Sequence, residues 1–212
     1  DLLNTKNYLL NSLSSKINDG PVSRHINRPI SKWITSKIID YPLTPNQISI
    51  VTLFISAFSG LIISLEGYFF LLLGALLAQL SSILDGCDGE FARLKLLESK
   101  FGGWFDQVLD RYGDLFIFTG LIFHTYFIHK TLTVFFIGFI AVGGKIILSY
   151  TAYIYDPMVS AHNNFRIGRD LIIFIILVGS VLNIPYITLV ALAFIMNIEI
   201  CKRLWVLKDK LD

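Results

Sequence analysis

Charge is what this sequence has least of. Asp, Glu, Lys and Arg make up 16% of its 212 residues while 54% are hydrophobic, against roughly 25% charged in ordinary soluble domains. Together with a mean hydropathy of +0.63, that shortage excludes a chain whose whole surface faces water and points to a membrane protein. Cysteine is nearly missing too. Cys87 and Cys201 lie far apart and form no CxxC pattern, which excludes a disulfide framework and a cysteine zinc site. The opening stretch DLLNTKNYLLNSLSSKINDG has neither a basic n-region nor a compact apolar h-region with a cleavage site, so it is no secretory signal. With Asp rather than Met at position 1, it reads as the continuation of a longer chain. There is no internal repeat or low-complexity tract, and no nucleic-acid partner is expected.

What the chain does have is long apolar runs. No charged residue interrupts Asn46 to Leu65, Gly67 to Leu84, Leu115 to His129, Thr131 to Gly144 or Leu171 to Ile198, and a membrane span needs about 20 apolar residues. The expectation is an all-α integral membrane bundle with six transmembrane helices, at 47–65, 68–87, 105–128, 132–155, 165–183 and 185–202. Gly179, Asn183 and Pro185 split the last run into two. With six spans, 15 of the 18 Lys and Arg residues fall on the side of the N-terminus. The positive-inside bias then places both termini and the 88–104 loop in the cytoplasm. Ahead of the spans, Ile30, Trp33, Ile34, Ile38 and Ile39 recur at helical spacing, as in an amphipathic juxtamembrane helix lying at the interface. Pro42 and Pro45 then break it. The chain is therefore divided into a linker and juxtamembrane helix, 1–40, and a transmembrane domain, 41–212.

The charges that remain are concentrated. SSILDGCDGEFARLK is followed by LLESKFGGWFDQVLD, giving D-x2-D-G-x2-A-R-x8-G-x3-D-x3-D filled by Asp85, Asp88, Gly89, Ala92, Arg93, Gly102, Asp106 and Asp110. At about 100° per residue the first five lie within roughly 140° on one helix face, and the last three within about 80° on the next. The short connection predicts antiparallel neighbouring helices. Four carboxylates would then converge near the cytoplasmic surface, where bare they would repel. All-oxygen ligands select Mg²⁺ or Mn²⁺, and a pair of such ions needs shared carboxylates of this kind; two-metal sites act on phosphate esters. Gly89 and Gly102 leave room for a diphosphate, and Arg93 offers a planar fork to phosphate oxygens. A purely structural ion-pair network, with Arg93 and Arg111 as its cations, would leave four carboxylates facing too few positive charges.

This pattern resembles, position for position, the signature of the CDP-alcohol phosphotransferases, integral membrane enzymes with six transmembrane helices that act as homodimers. The resemblance implies that Asp85, Asp88 and Asp106 hold divalent metal on the donor's diphosphate. It implies that Asp110 completes the metal site or takes the proton of the acceptor hydroxyl. It also implies that Thr44, Pro45, Asn46, Gln47, Gly89, Ala92, Arg93, Ser99 and Gly102 contact the CDP portion. The expected reaction is transfer of a phosphoalcohol group from a CDP-alcohol to an acceptor hydroxyl with release of CMP.

Lys145, Arg166 and Arg169 lie within or beside the fourth and fifth spans and are expected to form an anion pocket, which favours a phosphorylated acceptor such as inositol phosphate. DGPVSRHINRPIS, with SSILDGCDGEFARLK, looks like the archaeal branch typified by the di-myo-inositol phosphate phosphate synthases, which implies CDP-inositol as donor and inositol 1-phosphate as acceptor. The alternative within the family is a phospholipid synthase using CDP-diacylglycerol. The alternative outside it is a cation or proton transporter, which would spread acidic residues through the bilayer depth. Cys87, about 200° from Asp85, is expected to pack. The Phe-rich run Phe116 to Phe139 is expected to face lipid or neighbouring helices, and Glu90 and Lys95 to be solvated or interfacial.

Overall fold

The computed structural model of the chain describes residues 20–158 and 167–211. Among them there is no strand. A π-turn, Ser23–Asn27, runs into helix α1, Arg28–Ile38; α2 is Pro45–Ile63, α3 Tyr68–Leu94, α4 Lys100–His129, α5 Thr133–Met158, α6 Arg169–Val181 and α7 Pro185–Leu211. Among the described residues, three helices are long and apolar enough to cross a membrane: Pro45–Ile63, Tyr68–Leu94 and the Thr133–Tyr153 part of α5. Helix α4 carries Asp106, Asp110, Arg111 and Asp114 in its first half, and α6 has 13 residues, about 20 Å of helix.

Local chemistry explains the boundaries. TPNQ, residues 44–47, is a complete capping box: the Thr44 hydroxyl accepts from Gln47 N–H, and the Gln47 side chain accepts from Thr44 N–H. Each end satisfies an otherwise orphaned donor. Ser99 caps α4 by accepting from Gly102 N–H at 2.9 Å. Gly67 precedes α3 with φ +108°, a conformation that an L side chain rarely adopts. The break within Leu171–Ile198 forms as expected. Asn183 turns left-handed with φ 54°, Ile184 N–H reaches Gly179 O at 2.9 Å, and Pro185 opens α7.

Helix α2 packs against both α3 and α4, α6 against α3, and α5 against α7. The α3 and α4 helices make few direct contacts with each other. They are not the tight antiparallel pair that the short 95–99 connection suggested, because α2 forms the main partner of each. Helices α2 and α4 approach very closely: a Cβ at Gly60 would lie 2.2 Å from Phe116 O, and one at Gly120 2.1 Å from Gly60 O. Around this crossing, Ile63, Leu71, Ile117, Leu121, Ile172, Ile176, Leu189 and Leu192 form the buried apolar core. Phe118 is buried, whereas Phe116, Phe123, Phe127, Phe136 and Phe139 point outward, so the aromatic run divides between packing and the outer surface.

Helix α1 covers the stretch read as a juxtamembrane helix, and its apolar set splits. Ile34, Ile38 and Ile39 pack on Ile48, Cys87 and Phe91, which also gives Cys87 its packing role, while Ile30 and Trp33 are exposed. The most buried stripe is instead polar: Ser23, Asn27, Ser31 and Thr35, four residues apart. The reason lies in the helix it faces. Glu90, expected to be solvated or interfacial, is 1% exposed and needs those donors.

Replacing Gly60 by Val forces α2 and α4 apart. We expect a loss of about 1–3 kcal/mol, the usual cost of overpacking, read as a lowered thermal midpoint of the detergent-solubilised protein.

Candidate active site and metal centre

The last turns of α3 and the first turns of α4 diverge around a cavity of about 790 Å³. Asp85, Asp88, Asp106 and Asp110 all line it. Carboxylate oxygens of Asp85, Asp106 and Asp110 lie within 4.8 Å of one another. Asp88 accepts from Ser49 Oγ at 2.5 Å and from Gly89 N–H, and its carboxylate is within hydrogen-bonding reach of Asp106. Carboxylates this near, in a site walled by apolar helices, require positive charge among them. The donor set is hard oxygen and converges from two helices, which fits a divalent ion of the Mg²⁺ or Mn²⁺ class.

Protein cations supply part of that charge. Arg169, at the start of α6, places Nη1 2.9 Å from both Asp85 Oδ1 and Asp110 Oδ1, and Nε 3.0 Å from Asp114 Oδ1. Lys145 Nζ lies 2.5 Å from Asp114 Oδ2 and donates to Ser149 Oγ at 3.3 Å. Arg111 approaches Asp110 at 3.6 Å. The two described members of the expected anion pocket thus converge on Asp114, one helical turn beyond Asp110. Arg166, the third, lies outside the described residues.

Of the residues expected at the CDP portion, Thr44, Pro45, Asn46, Gly89, Ala92, Arg93, Ser99 and Gly102 line the cavity. Gln47 is absent from its wall and serves the capping box. The glycines act by close approach. A Cβ at Gly102 would sit 3.0 Å from Ser99 Oγ and 3.3 Å from Asn46 Oδ1, and one at Gly89 3.4 Å from Arg93 Nη1. Gly89 therefore lets the Arg93 guanidinium fold back across α3 at the cavity's edge.

Several groups escaped the sequence reading. Asp114 had a signal: it continues the four-residue spacing of Asp106 and Asp110. Asp170 had none. It accepts from Asn27 Nδ2 and from Ser82 Oγ, both at 2.8 Å, tying the start of α6 to α3 and the π-turn. Arg203, 1% exposed, reaches the cavity wall from α7. It pairs with Glu199 at 3.2 Å and donates to Leu148 O at 2.9 Å.

Residues 42–201 match the CDP-alcohol phosphatidyltransferase family. The chain belongs to that family. All four aspartates fall inside the matched segment. Relatives extend the likeness. The chain is 33% identical over 218 residues to the bifunctional IPC transferase and DIPP synthase of Aquifex aeolicus, covering 99% of this chain and 49% of the relative. Against the protein of that name from Rubrobacter xylanophilus it is 37% identical, covering 90% of this chain and 43% of the relative. With the Archaeoglobus fulgidus protein of that name the identity is 39%, over 78% of this chain and 33% of the relative. The chain therefore spans half or less of the length of the curated relatives it matches. Among solved structures, the phosphatidylinositol phosphate synthase of Mycobacterium tuberculosis with CDP-DAG bound superposes with a TM-score of 0.68 at 21% identity, covering 83% of this chain and 92% of that one. At that identity the likeness is one of fold. The described residues of this CDP-alcohol phosphatidyltransferase-family chain are thus helical, and its clustered aspartates lie within the segment that matches the family.

Asp114→Asn leaves Lys145 and Arg169 facing each other across a neutral group. Breaking one partner of a buried pair costs about 3–5 kcal/mol, so the variant is expected to melt well below the parent in a detergent-solubilised thermal scan.

Proposed function

We propose that the chain transfers a phosphoalcohol group from a CDP-alcohol to an acceptor hydroxyl and releases CMP, with CDP-inositol as donor and inositol 1-phosphate as acceptor. The observation that carries this reading is the convergence of Asp85, Asp106 and Asp110 on the wall of one cavity that also holds Arg93 and Lys145. The likeness to the bifunctional IPC transferase and DIPP synthases over nearly the whole chain supports the choice of substrates.

Asp85, Asp88, Asp106 and Asp110 would hold one or two Mg²⁺ or Mn²⁺ ions. Bound there, such ions would offset negative charge on the diphosphate and on the departing CMP. The chain's own side chains do the rest. Arg93 and the Asn46–Ser99–Gly102 cluster, with Thr44, Pro45 and Ala92, form the wall against which the CDP portion lies. Asp110 accepts the proton of the acceptor hydroxyl, whose oxygen bonds to the β-phosphorus as the bond from that phosphorus to the bridging oxygen breaks. The bridging oxygen departs with CMP. Lys145 and Arg169, joined by Arg203 on the same wall, would bind the acceptor's phosphate, with Arg166 proposed as a further partner, and so hold the acceptor for in-line attack.

In the membrane we propose six spans, α2 to α7, with 1–40 as linker and interfacial helix and 41–212 as the transmembrane domain. Both termini and the cavity would lie on the cytoplasmic side, which carries 15 of the 18 Lys and Arg residues. The resemblance to the family further supports a homodimer.

The test is CMP release by the purified protein with Mg²⁺ and a panel of CDP-alcohols, with and without inositol 1-phosphate. Release is expected only with CDP-inositol and acceptor together. Asp110→Asn is expected to lower kcat by about 10²–10⁴-fold, the usual worth of a positioned base; equal release by the variant removes that role from Asp110. Turnover with CDP-diacylglycerol alone replaces the proposal by a phospholipid synthase.

A further inference from the structure

A charged pair that the signature does not account for joins α1 to α3. Glu90 follows Gly89 in the motif but faces away from the aspartates toward α1, and it is 1% exposed. Its Oε1 accepts from Arg28 Nη1 at 2.9 Å and Ser31 Oγ at 2.8 Å, and its Oε2 accepts from Thr35 Oγ1 at 3.0 Å. The carboxylate is therefore fixed at both oxygens. Arg28, whose side chain is 12% exposed, lines the cavity beside Asp85, Gly86 and Gly89. A Cβ at Gly86 would lie 3.3 Å from Arg28 Nη1 and 3.4 Å from Ser31 Oγ. Glycine at 86 is what allows the guanidinium to lie directly against α3, one residue from Asp85.

We propose that Arg28 is a phosphate-binding residue of this cavity, contributed by the juxtamembrane helix and aimed by Glu90. The inference rests on the proposed reaction for the identity of its substrates. A buried ion pair is a poor way merely to fasten two helices, because an apolar pair of similar volume does so as well or better. Placed on the wall of a cavity that must receive phosphates, it gains a use. Glu90 holds a long, flexible side chain in one orientation, so less ordering remains to be done when an anion arrives. The guanidinium fork matches phosphate oxygens. The surrounding wall includes Asp85, Asp88 and Asp170, so an entering anion needs cations on this side as well. Arg28 lies ahead of the family's matched segment, residues 42–201. Donor diphosphate and acceptor phosphate share the chemistry Arg28 recognises, and separate kinetic arms tell them apart.

The experiment compares the full chain with Arg28→Lys and with the double variant Arg28→Gln/Glu90→Gln, which removes both charges of the pair together. CMP release is followed against donor at saturating inositol 1-phosphate, and against acceptor at saturating donor. We expect the double variant to raise KM for one substrate about tenfold or more, the usual worth of a charge-assisted hydrogen bond, with kcat changed far less. Arg28→Lys, which keeps charge beside Glu90 but loses the fork, recovers part of that loss. Both KM values within about twofold of the parent in the double variant overturn the proposal, since Arg28 would then only neutralise Glu90. If the double variant does not purify as a folded protein, Arg28→Lys decides alone: a raised KM upholds the proposal and an unchanged one overturns it. A parent that releases no CMP from any CDP-alcohol sinks the proposed reaction instead. Calorimetry with inorganic pyrophosphate then judges Arg28: binding weakened in the variants supports it, and equal binding overturns it.

Discussion

Carboxylates crowded at the edge of an apolar helical bundle are the constraint on which the rest depends. Asp85, Asp88, Asp106, Asp110 and Asp114 lie within a few turns of one another, and Coulomb repulsion in a poorly hydrated site is far larger than in water. The fold answers with cations drawn from separate helices. Arg169 comes from the start of α6 and Lys145 from the middle of α5. Their joint hold on Asp114 pins the inner end of the cluster. The outer end, at Asp85, Asp106 and Asp110, keeps the convergence of oxygens that suits a divalent ion.

Holding that cluster open takes backbone precision more than bulk. Helix α2 packs on both α3 and α4 and keeps them from closing on each other. Its glycine contact with α4 at Gly60 and Gly120 sets how near the two helices come. The cavity mouth is set by two helix caps. Thr44 with Gln47 starts α2, Ser99 starts α4, and Asn46 and Gly102 meet where the caps adjoin. Residues expected to touch the nucleotide thus also terminate helices, so a substitution at Ser99 or Thr44 disturbs the wall as well as any contact.

Sequence pattern alone reached the helical class, the aspartate motif and the break at Gly179–Pro185, because each rests on local periodicity or turn chemistry. It also singled out Lys145 by its place between charge-free runs and Arg169 by its place at the border of the fifth span. It did not find their shared partner Asp114, although the four-residue spacing was there to read. Glu90 was misplaced for a different reason: its partners Arg28, Ser31 and Thr35 are more than fifty residues away, and no local pattern pairs helices at that distance. The same holds for Asp170 with Asn27 and Ser82. Helix α1 was judged by its apolar residues, whereas the polar stripe facing α3 decides how it docks.

The most direct test of the central claim, that the aspartate cluster is a divalent-metal centre, is Mn²⁺ binding to the purified protein followed by electron paramagnetic resonance. The parent is expected to take up Mn²⁺ saturably, and Asp106→Asn to lose that uptake while keeping the parent's thermal midpoint. Absence of saturable binding by the parent, or equal binding by Asp106→Asn, would contradict the account.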